Sequence, residues 1–482
     1  MTSGIADRWT RDRVRRVHFV GIGGAGMGGI AEVLLTMGYP VSGSDRAEGA
    51  MTRRLASLGA TLAFGHNAAN VGGADVVVVS SAITEDNPEV VAAHAARIPV
   101  VPRAAMLAEI MRFRLGIAVA GTHGKTTTTS LVASVLSEGN LDPTFVIGGR
   151  LNSVGTHARL GQSDWLVAEA DESDASFLHL TPVISVVTNV DADHLENYGG
   201  SFERYKQTFL EFLHRLPFYG LAVLCVDDET VCELVQGLQR KFVTYGEAPN
   251  ADIRAENVRA DGLSMVFDVV FAEGVRLDGI RLNMPGTHNV SNALAAIAVA
   301  RELGVGLDEI VVALERFQGV GRRVQQHGQV SVAGRVNVQV DLVDDYAHHP
   351  SELRATLAAI RGAWPDRRLV ALFQPHRYSR TRDHFSAFVE VLQGVDMLLI
   401  SEVYAAGESA IPGASGQDLC EAIGRVTGRE PVFVEHLEDA VLCLQSELAH
   451  GDILLTLGAG SVGAFAQQLP DRLSHKAVSD VG

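Results

Sequence analysis

Cysteine is scarce in this chain. Only Cys225, Cys232, Cys420 and Cys443 occur among 482 residues, and the closest two are seven apart. That spacing excludes a disulfide framework and the usual zinc sites, so the thiols read as reduced core groups of a cytoplasmic protein. Positive charge is also in deficit: 40 Lys and Arg face 57 Asp and Glu, a formal net charge of −17. Such a balance argues against nucleic acid or an anionic membrane as the main partner. No uninterrupted apolar run is long enough to cross a bilayer, and the charged N-terminus has no apolar signal segment. Residues 1–16 read as a polar, mobile lead-in.

What is present is glycine, in loops that follow apolar runs. The run Leu115 to Val119 reads as a buried strand, and the periodic Leu131, Val132, Val135 and Leu136 as a helix. Between them stands Gly121-Thr122-His123-Gly124-Lys125-Thr126-Thr127. This is the layout of a phosphate-binding loop, in which backbone N–H groups and a helix N-terminus face the phosphates. Lys125 would reach the β/γ-phosphates and the Thr126 hydroxyl would ligand Mg²⁺. The usual pattern has a glycine where this chain has Val119.

Earlier, the strand Val17 to Val20 runs into Gly21-Ile22-Gly23-Gly24-Ala25-Gly26-Met27 and a helix expected over Ile30 to Met37. Gly21, Gly23 and Gly26 fit a diphosphate fingerprint, and a second strand, Tyr39 to Ser42, leads to Asp45, placed to meet a ribose or base. NAD is the obvious ligand. Yet after the strand Val76 to Val79 and Ser80-Ser81 the region winds down near residue 110, leaving room for a nucleoside diphosphate and no second half for a nicotinamide. His66 and Arg103 are basic candidates near this site.

Two further strands, Trp165 to Ala168 and Val183 to Val187, end in polar clusters. The first delivers Glu169, Asp171, Glu172 and Asp174, four carboxylates in six residues that would repel one another without a cation. The second delivers Asp191, Asp193 and His194. Ligands of doubly wound sheets sit at the carboxyl ends of strands, so these groups can converge on the phosphate loop. Residues 250–282 alternate like antiparallel strands. His288, Asn289 and Asn292 stand just before the alanine-rich helix Ala293 to Leu303. Beyond Gly319 a third set of strands, Val336 to Leu342, Leu369 to Phe373, Met397 to Ile400 and Ile453 to Leu457, carries Asp344-Asp345-Tyr346-Ala347-His348-His349 and Gln374-Pro375-His376-Arg377-Tyr378-Ser379-Arg380. Arg377 and Arg380 look built to hold a carboxylate.

Together these motifs resemble the ATP-dependent Mur ligases of peptidoglycan synthesis, from Val17 to about Gly460. The resemblance implies an α/β chain of three domains. These are a Rossmann-like UDP-substrate domain over 1–110, a central P-loop ATPase-like domain over 111–318, and a C-terminal Rossmann-like domain over 319–482 that binds the amino acid. It implies that ATP and Mg²⁺ drive the joining of L-alanine to the lactyl carboxylate of UDP-N-acetylmuramate. It assigns Gly121 to Thr127, His288, Asn289, Asn292, Arg323 and Asp345 to ATP, and Thr126, Glu172 and His194 to metal. Gly23, Gly24, Ala25, Gly26, Met27, Asp45, Ser80 and Ser81 would line the UDP pocket, and Tyr346, His348, Arg377 and Arg380 would orient L-alanine. Lys125, Glu172, His194, His348, Arg377 and Arg380 would carry the chemistry. Several relatives have a carbamylated lysine after the histidine matching His194. Here that step falls on Phe209, with Lys206 nearby, which leaves open what completes a second metal site. An NAD oxidoreductase leaves Gly124-Lys125-Thr126 unexplained, a nucleotide switch leaves Arg377 and Arg380 idle, and a sister ligase adding a peptide or another residue would keep the chemistry.

Overall fold

The computed structural model describes residues 13–335 and 337–475. Most of the expected N-terminal lead-in, and Val336 at the start of one expected strand, lie outside them. The described residues form three sheets in two compact units. The first unit holds the described residues through Arg259, Val266–Asn283 and His288–Gln318; the second holds Ala260–Met265, Met284–Thr287 and the described residues from Gly319. No helix among the described residues is long and apolar enough to cross a membrane.

The first sheet contains β1 (Val17–Val20), β2 (Val41–Asp45), β3 (Thr61–Phe64), β4 (Val76–Val79) and β5 (Val100–Pro102), in the order β3-β2-β1-β4-β5. All its pairings are parallel. The chain reverses direction across the sheet at β1, and the glycine loop lies at that switch point, where a crevice opens. The helix that follows spans Ala25–Thr36, so it starts inside the glycine run and not at Ile30. Gly28 and Gly29 are buried in it: a Cβ on Gly28 would lie 2.4 Å from Met51, and one on Gly29 would lie 3.3 Å from Ala158. Close packing favours glycine at both positions, most strongly at Gly28, despite its poor helix propensity.

The second sheet has ten strands. They are β6 (Leu115–Ala120), β7 (Thr144–Leu151), β8 (Thr156–Arg159), β9 (Trp165–Glu169), β10 (Ile184–Val187), β11 (Leu221–Cys225), β12 (Lys241–Gly246), β13 (Ile253–Asp261), β14 (Ser264–Phe271) and β15 (Arg276–Leu282). Central β6 lies between β9 and β10, parallel to both, so the polar segments after all three emerge at one edge. β6 is buried apart from Leu115, which explains its continuous apolar run.

The third sheet contains β16 (Gln325–Ser331), β17 (Gln339–Asp345), β18 (Leu369–Phe373), β19 (Met397–Ser401), β20 (Val432–Val434) and β21 (Ile453–Leu457). Only β16 pairs antiparallel, against β17; β17, β21, β18, β19 and β20 are parallel in that order. The Tyr346–His349 and His376–Arg380 segments follow β17 and β18 at the same edge.

Candidate active site

The phosphate loop is shaped by two glycines. Gly121 has φ +132° and Gly124 has φ +83°. A Cβ on Gly121 would come within 2.0 Å of Thr188 Oγ1, and one on Gly124 within 2.6 Å of Asn292 Oδ1. Neither position admits a side chain, and the left-handed turn at Gly124 starts the helix Lys125–Glu138. The loop is then clamped from the end of β10. Asn189 Oδ1 accepts from the His123 N–H at 2.8 Å, and Asn189 Nδ2 donates to the His123 carbonyl at 3.0 Å. Thr188 Oγ1 donates to that carbonyl at 2.6 Å, and Thr122 Oγ1 accepts from the Asp191 N–H at 2.9 Å. His123 Nε2 lies 3.1 Å from Asp191 Oδ2.

Lys125 is the hub. Its ammonium donates to the carbonyls of Gly121 at 2.6 Å and Thr122 at 3.1 Å, and to Glu172 at 2.9 Å. Glu172 is 1% exposed. Burial pushes its carboxyl up to about 7 against the pull of Lys125. Burial would lower the Lys125 ammonium, but Glu172 and Asp171 outweigh it and keep it protonated. A buried carboxylate balanced by one ammonium suits a site that exchanges cations and phosphate oxygens.

The other carboxylates of the cluster take separate partners. Glu169 accepts from the Gly148 N–H at 2.7 Å, Asp171 from Arg103 at 2.8 Å, and Asp174 from the Ser176 N–H at 3.0 Å. His194, at φ +56°, opens the turn Leu195–Tyr198 and lies 3.4 Å from Asp193. That turn is tied to the acidic loop: Tyr198 Oη donates to the Glu172 carbonyl, and Asn197 Nδ2 donates to the Ser173 carbonyl at 2.8 Å. Phe209 is fully buried, edge-on to Phe177 and Tyr205 with 5.2 Å between centroids. Phe209 is thus an aromatic core position, while Lys206 pairs with Glu203 and Glu233.

Asn289 and Asn292 lie in the first turns of the helix Thr287–Glu302, which starts six residues before the expected Ala293. Asn292 Nδ2 donates to Asn289 Oδ1 at 3.1 Å, while Asn292 Oδ1 accepts from Thr128 Oγ1 at 3.0 Å. The pair therefore braces the phosphate-loop helix. His288 stands in the same first turn, half-buried.

At the first sheet, Asp45 Oδ2 accepts from the Gly23 N–H at 2.7 Å and Oδ1 from the Arg46 N–H at 2.7 Å. Asp45 thus holds the glycine loop in place. Ser80 accepts a backbone hydrogen bond from Ile83 in the turn after β4, and Ser81 is exposed. His66 lies 3.1 Å from Ser44 Oγ. It belongs to a buried network around Glu89, which accepts from Ser44 Oγ at 2.6 Å and the Asn67 N–H at 3.2 Å, and contacts His18 at 3.4 Å.

In the second unit, Tyr346, His348, His376 and Arg380 come together. Tyr346 lies under Arg322 and Arg323, at 4.9 and 5.3 Å. His348 meets Tyr346 and His376 edge-on, and His376 Nδ1 is 3.4 Å from Arg380. Burial, then His348, Arg380 and Arg377, press the His376 imidazole down to about 3, so it is neutral. Sequence reasoning left His376 without a role; its place between the two arginine-bearing turns was the available signal. Arg377, at φ +68°, pairs with Glu408 at 3.9 Å. Asp345 accepts from the Val324 and Ala347 N–H groups and from Thr356 Oγ1, so it folds the turn that presents Tyr346.

Comparison with known proteins matches this arrangement along the chain. Residues 16–115 match the description "Mur ligase family, catalytic domain", 119–300 "Mur ligase middle domain", and 322–460 "Mur ligase, glutamate ligase domain". The chain is 59% identical over 462 residues to the UDP-N-acetylmuramate–L-alanine ligase of Azoarcus sp. (strain BH72), covering 95% of this chain and 98% of that one. It is 60% identical over 470 residues to the ligase of that name from Cupriavidus metallidurans, covering 96% and 98%. Among solved structures, the UDP-N-acetylmuramate-alanine ligase of Thermotoga maritima superposes with TM-score 0.79 at 31% identity, covering 95% of this chain and 98% of that one. The murein peptide ligase of Psychrobacter arcticus superposes with TM-score 0.72 at 25% identity, covering 96% and 100%.

Proposed function

The chain belongs to the Mur ligase family, and from that premise we propose how its residues divide the work. It is an ATP-dependent amide-bond-forming ligase that joins L-alanine to UDP-N-acetylmuramate in peptidoglycan synthesis. The lactyl carboxylate attacks the γ-phosphorus of ATP, ADP leaves, and an acyl phosphate forms. The amine of L-alanine then attacks the acyl carbon, phosphate departs, and the amine loses its proton. Such phosphoryl transfer needs positioning and charge neutralisation above all.

The observation that carries the assignment is Lys125, held between the loop carbonyls and buried Glu172. A γ-phosphate at the loop would exchange for these partners. The oxygen donors of Thr126 and Glu172 fit a hard cation, and Glu172 with His194 would serve a second. Mg²⁺ there would supply charge neutralisation for the phosphates and the substrate carboxylate. His288, Asn289, Asn292 and Arg323 attend ATP. Gly23 to Met27, Ser80 and Ser81 attend the UDP end, with Asp45 acting through the loop it holds and Asp345 through the turn it folds. Arg377, Arg380, His348 and Tyr346 orient L-alanine. The division into domains over 1–110, 111–318 and 319–482 follows these three tasks. A reaction fed by ATP and a UDP-sugar belongs in the cytoplasm.

The test is isotopic. With ¹⁸O in the lactyl carboxylate, one labelled oxygen should appear in the released phosphate, because the acyl phosphate breaks at its carbon–oxygen bond. Unlabelled phosphate would overturn the mechanism.

A further inference from the structure

Arg103 opens the helix Arg103–Met111 that follows β5, and its guanidinium faces two ways. Nη2 donates to Asp171 Oδ2 at 2.8 Å. The other end lies over the glycine loop: a Cβ built on Gly26 would be 3.1 Å from Nη1 and 3.3 Å from Cδ. Gly26 is in the first turn of the helix Ala25–Thr36, where backbone N–H groups have no intrahelical acceptor. Asp171 is fixed in turn. Its Oδ1 accepts from the Ser173 N–H at 3.1 Å, and its carbonyl accepts from the Phe177 N–H at 3.1 Å. The residue beside it is Glu172, paired with Lys125.

The pair is partly exposed, 26% at Arg103 and 39% at Asp171, so it adds little to folding. It does keep a fork-shaped cation, the side chain best matched to phosphate oxygens, aimed at a loop built for a diphosphate. We propose that Arg103 binds the diphosphate of the UDP-substrate through Nη1 while Asp171 holds Nη2. Asp171 is then a positioning residue, and the pair couples the acidic loop beside Lys125 to what occupies the glycine loop. The inference rests on assigning that loop to the UDP end of the substrate.

Calorimetric titration of the full chain with UDP separates the two ideas. Arg103→Ala should weaken UDP binding on the order of tenfold, as loss of a charge-assisted contact does. Arg103→Lys should fall in between, because charge remains without the fork. Asp171→Asn should weaken binding less than Arg103→Ala, and the double variant should bind no worse than Arg103→Ala alone, since Asp171 acts through Arg103. The melting temperature should not move. Unchanged UDP binding in Arg103→Ala, or full additivity in the double variant, would overturn the inference while leaving the loop assignment intact. Failure of the unaltered protein to bind UDP would overturn both.

Discussion

Glu89 shows how a single buried group can organise a binding region without entering it. It has no exposure, and burial alone would raise its carboxyl. Hydrogen bonds involving His18, Ser44, Asn70 and the Asn67 backbone overcome that penalty and bring it down to about 2. The folded value lies below the ordinary one, so this stabilisation is complete above the usual carboxylate range and is lost as pH falls toward 2. It is worth about 3 kcal/mol by linkage. Glu89→Gln places an amide against the same donors and should lower stability at pH 7 by about 2 kcal/mol or more, read as a lower urea midpoint. The difference between the two proteins should shrink as pH is lowered through 4. A constant difference from pH 7 to 3 would contradict the assignment.

At the scale of elements, the phosphate loop depends on its neighbours as much as on its own sequence. The turn after β10 grips His123 through Thr188 and Asn189, and the helix Thr287–Glu302 grips Thr128 through Asn292. Asn189→Ala removes both side-chain bonds to His123. It should lower kcat/KM for ATP on the order of a hundredfold through misplacement of the loop, with a small change in melting temperature. Unaltered ATP kinetics would contradict the clamp. Much of this scale was legible in the sequence. β4 and β18 fall on the expected residues because they are continuous apolar runs, and β1 and β21 do so with one polar residue each, His18 and Thr456. β2 was expected over Tyr39 to Ser42 and is found at Val41–Asp45. Its buried centre is Gly43, where a Cβ would lie 2.6 Å from Ile22, so close approach replaces the apolar signal. The helix at Ala25 was hidden for the same reason. The clamp was not legible, because Thr188-Asn189 reads equally well as a ligand-bearing turn.

At the scale of the whole molecule, a chain of net charge −17 must bind two polyphosphates. On the assignments proposed above, helix N-termini, Lys125 and Arg103 meet them at the carboxyl edges of parallel sheets, with Glu172 paired to Lys125 and Asp171 holding Arg103. The three sheets and their loop-bearing edges were expected from the strand-then-polar-turn pattern. The tie from Arg103 to Asp171 was not, since the two residues are 68 apart in sequence and each motif alone gives no partner. These parts form a ligase and not a simple ATPase. Phosphate release measured with each component omitted in turn tests this most directly. Rapid release should require ATP, Mg²⁺, UDP-N-acetylmuramate and L-alanine together, and should be abolished in Lys125→Ala; rapid release from ATP and Mg²⁺ alone, or full activity in that variant, would contradict the account.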